Sequence, residues 1–124
     1  MFPCTTSTVP FSMPGGEVSS TVRSRPIDLV HLTQQTMGDR DLEQEVLTLF
    51  IQQALNVQEQ LEKADGDECA RLAHALRGAA SGVGAFAIAD CAGDIEGEPS
   101  NRAAIRRLSR LIDEARDFVA AIGR

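Results

Sequence analysis

The chain has 124 residues, 12 Lys+Arg against 18 Asp+Glu, and a formal net charge of −6 with both histidines neutral. One domain of that length can bury a sizeable core, and 43% hydrophobic residues argue against a wholly disordered chain. The acidic balance, with no Trp or Tyr, opposes nucleic acid as a partner, and no apolar run approaches the roughly 18 to 20 residues of a membrane span.

Residues 1–25 read as a flexible tail, rich in Ser and Thr, with Pro3, Pro10, Pro14, Gly15 and Gly16 and no lasting period. Met1-Phe2-Pro3-Cys4 carries neither the basic nor the apolar region of a secretory leader. Cys4, Cys69 and Cys91 are widely spaced and form no C-x-x-C pair, which fits a reducing compartment. A cytoplasmic protein is expected, with a helical domain over 26–124.

From Pro26 apolar residues recur at three- and four-residue spacing, and five helices are predicted. The first, about 26–36, opens with Pro26 at its first helical position and carries Ile27, Val30 and Leu32; Gly38 ends it. Asp39 caps a second helix running to about Ala64, apolar along Leu42, Val46, Leu49, Phe50, Val57 and Leu61. Leu47, Ile51 and Leu55 form a further stripe on it, so its apolar arc is unusually wide. Asp65-Gly66-Asp67 breaks this helix, with Asp67 or Asp65 as the cap of a third helix at about 67–83, and a fourth follows at about 85–96. Ser100 caps a fifth, with Ile105, Leu108, Ile112, Ala115, Val119 and Ile122 on one face. No strand alternation persists. The expected fold is all-α: an antiparallel up-and-down four-helix bundle with a short additional N-terminal helix.

On the third helix, at about 100° per residue, Cys69, Leu72, Leu76, Ala79 and Val83 cluster on one side and His74 falls opposite them. His74 therefore faces solvent. Its helical neighbours are Arg77, Gly78 and Ser81 ahead, with Ala70 one turn behind. Gly78 costs about 1 kcal/mol relative to Ala inside a helix, and clears space one turn from the ring. Arg77 adds a permanent cation suited to a phosphoryl oxygen. An exposed imidazole, a fixed cation and a cleared surface suit a nucleophile that meets another macromolecule.

The stretch from His74 through Leu76-Arg77-Gly78 to Gly84-Ala85, followed by Ile88, Cys91 and Ile95-Glu96, resembles the signature of histidine-containing phosphotransfer domains. The resemblance implies a four-helix bundle whose exposed histidine takes a phosphoryl group from an aspartyl phosphate on one response-regulator receiver domain and passes it to another. His74 is then the phosphoacceptor, Arg77 steadies the phosphoryl group, and Gly78 gives the receiver access. The family more often has Lys where Arg77 stands. The partners implied are receiver domains and a hybrid histidine kinase, and the expected state is a monomer. The metal that neutralises charge belongs, by the same resemblance, to the receiver's acidic pocket. No metal or cofactor is expected on this chain, which lacks nucleotide-cradling motifs.

Receiver docking is expected around Ala70 and Ser81. Part of the Leu47, Ile51 stripe is expected to stay exposed there, unless the leading helix covers it. Asp67, on the face of His74, is a helix cap or a partner for the imidazole. Arg102, Arg106, Arg107 and Arg110 read as a solvated face or as partners of the acidic second helix, and His31 as an ordinary surface or packing histidine. Two alternatives remain: the phosphoacceptor and dimerisation module of a histidine kinase, and a non-catalytic helical adaptor.

Overall fold

A computed structural model of the protein describes residues 25–123. The expected tail over 1–25 falls, apart from Arg25, outside the described residues. Among those residues there are five helices and no strand: α1 (Leu29–Thr36), α2 (Arg40–Leu61), α3 (Gly66–Val83), α4 (Phe86–Gly97) and α5 (Arg102–Ile122).

Polar side chains that satisfy first-turn amides set four of the five helix starts. Asp28 accepts from the His31 amide at 3.1 Å, so α1 begins after Asp28 and Pro26 lies ahead of it, not at its first position. Asp39 accepts from Leu42 at 3.0 Å, and Asp65, rather than Asp67, accepts from Glu68 at 2.9 Å. Asn101 accepts from the Ala104 amide at 3.1 Å; the cap of α5 is this residue and not Ser100. At the other end of α1, Met37 takes the left-handed conformation (φ 54°) and Gly38 follows it with φ 79°.

Each of α2 to α5 packs on the next, α5 returns to α2, and α1 lies against α2 and α3. One apolar core joins all five, with Ile27, Leu32, Leu47, Leu61, Leu76, Ile88, Ile95, Leu108 and Ile112 almost wholly buried. Burying each such side chain is worth about 1.5–3 kcal/mol. Gln58 Nε2 donates to Ser109 Oγ at 2.6 Å and ties α2 to α5. Cys69 and Cys91 are both buried, and burial pushes the Cys91 thiol up despite nearby Arg107.

Two apolar expectations need correction. Ile27, just ahead of α1, and Leu32 on it are buried, but Val30 is 70% exposed. On α2, Leu42 and Leu49 point outward, while Leu47 and Ile51 join the core beside Phe50, Ala54, Val57 and Leu61. The wide apolar arc of α2 is thus largely covered, and α1, α3 and α5 all pack against this helix.

The join between α1 and α3 is tight. Gly84 ends α3 at φ +88°, and its carbonyl accepts from the Asp28 amide at 2.9 Å. A Cβ at Gly84 would lie 2.8 Å from the Asp28 carbonyl oxygen, so only glycine permits this approach. His31 adds a bond from its Nε2 to the Gly82 carbonyl at 3.2 Å and stands edge-on to Phe86. His31 is therefore a packing residue at the end of the helix that carries His74.

Candidate functional site

The buried side of α3 is Cys69, Leu72, Ala73, Leu76, Ala80 and Val83. Ala79 is only half-buried, so the inward face is turned slightly from the one expected. His74 lies opposite, and its side chain is 65% exposed. Gly78, one turn on, has no atom within 4 Å of the place its Cβ would occupy. Ser81 is exposed on the same surface, and Ala70 is half-buried behind the ring.

The short link between α3 and α4 sets α4 alongside His74. Nδ1 of His74 lies 2.9 Å from Glu96 Oε2. A carboxylate only accepts, so Nδ1 carries the proton of this contact, and in the neutral form of the ring the lone pair is at Nε2. The other oxygen of Glu96 is buried and lies 3.3 Å from Arg77 Nη1, an ion pair that lacks the direction of a hydrogen bond. Arg77 reaches Glu96 by passing over Gly93, whose absent Cβ would sit 3.5 Å from Arg77 Cδ. Glu96 thus joins the imidazole and the guanidinium, and the cation stands against a fixed anion beside the ring.

Of the residues expected at the site, His74, Arg77, Gly78 and Ser81 share one exposed surface, with Ala70 at its edge. Leu47 and Ile51 do not join them, because they are 0% and 7% exposed and cannot offer a docking patch. Asp67 is neither the cap of α3 nor the partner of the ring. The arginines of α5 do not pair with α2: Arg107 meets Asp94 of α4 at 2.6 Å, and Arg110 meets Glu114 on its own helix at 3.9 Å. Periodicity within α3 gave no role to Glu96 or Gly93, because both act across the helix pair. Among the described residues no group of three or more His, Cys, Asp or Glu side chains is placed to hold a metal ion, and no helix is long and apolar enough to cross a membrane.

A model of the Hpt domain family matches residues 45–118, well over half of the chain and all of the surface around His74. The chain belongs to the Hpt domain family. Members of that family are phosphotransfer intermediates of phosphorelays, working with receiver domains and histidine kinases rather than as free-standing enzymes. No curated protein and no solved structure matches the chain significantly.

Proposed function

We propose that this protein shuttles a phosphoryl group between the aspartyl phosphates of receiver domains, with His74 as the phosphoacceptor. The observation that carries this reading is the 2.9 Å contact of Nδ1 with Glu96 on a ring that is 65% exposed beside bare Gly78. With Nδ1 protonated, the Nε2 lone pair attacks phosphorus in line. The phosphorus–oxygen bond to the aspartyl group breaks, and the receiver regains its carboxylate. The product ring holds the phosphoryl group on Nε2 and the proton on Nδ1, and Glu96 balances the positive charge that this places on the imidazole. Transfer to the next receiver reverses the same steps.

Phosphoryl transfer through a loose transition state asks for positioning and charge more than for covalent chemistry. Arg77 supplies a cation beside the ring, and Gly78 leaves room for the receiver to close over it. The divalent cation then resides in the receiver's acidic pocket. In this reading α2 to α5 form an antiparallel up-and-down four-helix bundle with α1 as its short additional helix, and the protein acts as a cytoplasmic monomer fed by a hybrid histidine kinase.

Incubation with a phosphorylated receiver should place acid-labile, alkali-stable phosphate on the protein. His74→Gln should abolish it with helicity unchanged. Labelling from ATP alone would point instead to a kinase module, and no labelling from any receiver to an adaptor.

A further inference from the structure

We infer that Gly93 is a positioning residue for phosphoryl transfer: the absence of a large side chain there lets Arg77 lie across α4, with its guanidinium against Glu96, the partner of His74. The inference rests on the phosphotransfer reading of His74. Gly93 lies inside α4, where glycine is unfavourable, and it has no positive φ to require it. The place where a side chain would start is bordered by one residue, at ordinary contact distance, so a larger side chain would run into it. Within 4 Å of the missing Cβ stand Arg77 Cδ at 3.5 Å and Arg77 Nη1 at 3.8 Å, and no other neighbouring side chain. Gly78, by contrast, opens onto empty space. The two glycines therefore do different things: one clears the approach to the ring, and the other makes a seat for the cation.

The geometry of α4 explains the choice of position. Residues three apart share a helical face, so Gly93 and Glu96 lie on one track. An arginine stem laid over Gly93 delivers its guanidinium to Glu96, 3.3 Å from Oε1. Glu96 in turn holds His74 at 2.9 Å, so the seat at Gly93 fixes the distance between the cation and the nucleophile. A methyl group at position 93 would make only ordinary contact with Arg77, whereas a branched four-carbon side chain would lift the stem from α4.

The test is a double-mutant cycle in the full chain. Gly93→Leu should lower the maximal transfer rate about tenfold, with the half-saturating receiver concentration unchanged. In an Arg77→Ala background Gly93→Leu should have no further effect. An undiminished maximal rate in folded Gly93→Leu, or an equal loss with and without Arg77, overturns the inference. A second readout does not depend on transfer: the Arg77 guanidinium NMR signal should respond to Glu96→Gln in the wild type and not in Gly93→Leu. An equal response in both overturns the seat even if His74 proves to carry no phosphate, whereas loss of labelling in the wild type alone counts against the phosphotransfer reading.

Discussion

His74 Nδ1 and Glu96 Oε2 lie 2.9 Å apart across the interface of two consecutive helices, joining residues 22 positions apart in the chain. The contact fixes which ring nitrogen holds the proton and hence which one can act. It also places a negative charge where, in the proposed transfer, the ring would become positive on accepting a phosphoryl group.

Replacing Glu96 should separate these two effects. Gln can still accept from Nδ1 but carries no charge, while Ala frees the ring altogether. A hydrogen bond to a charged group is worth about 1.5–3 kcal/mol, and the exposure of His74 puts this one at the lower end. Glu96→Ala should therefore slow transfer about tenfold, and Glu96→Gln by less. Single-turnover transfer from a phosphorylated receiver measures both; equal rates in all three proteins would remove Glu96 from the mechanism.

Gly78 should show stability and activity moving in opposite directions. Its missing side chain faces open space, so Gly78→Ala should raise stability by about 0.5–1 kcal/mol in urea titrations. Gly78→Leu should fold equally well yet raise the half-saturating receiver concentration about tenfold, the equivalent of a 1.4 kcal/mol clash. A fully active Gly78→Leu protein would show that no partner approaches over this turn.

Gly84→Ala should be costly although the change is one methyl group. The left-handed backbone alone costs about 1–2 kcal/mol for an L side chain, and the new Cβ meets the Asp28 carbonyl at 2.8 Å. A loss of about 2 kcal/mol or more is expected, lowering the melting temperature by roughly 8–16 °C for a domain of this size. An unchanged melting temperature would mean that α1 is not latched to α3 as described.

Leu47 and Ile51 should behave as core residues. Leu47→Ala is expected to cost about 2–5 kcal/mol, and Ile51→Asp, which buries an unpaired charge, should leave little cooperative unfolding. Circular dichroism during urea denaturation distinguishes this from a docking role, in which Ile51→Asp would lose transfer and keep a wild-type midpoint.

The exposure of His74 was legible because one helix determines it: the apolar track of α3 fixes its inward side, and the histidine stands opposite. Gly78 and Arg77 follow from the same periodicity. Glu96 and Gly93 were not legible in that way, since their roles depend on how α4 is rotated against α3. The double stripe on α2 was ambiguous for a related reason. A wide apolar arc says that much is covered, and only the packed bundle shows that Leu47 and Ile51 lie inside while Leu42 and Leu49 do not. The cap of α5 differs by one residue because Ser100 and Asn101 are both good caps, and the chain uses the second.

His74, Arg77, Gly78, Gly93 and Glu96 all belong to the hairpin of α3 and α4, a run of 24 residues from His74 to Gly97. The ring, its charge partner and the neighbouring cation thus come from two consecutive helices, which α2 and α5 pack against. The outward faces of α2 and α5 are therefore free to diverge, or to be redesigned for other partners, without disturbing the group that would carry phosphate.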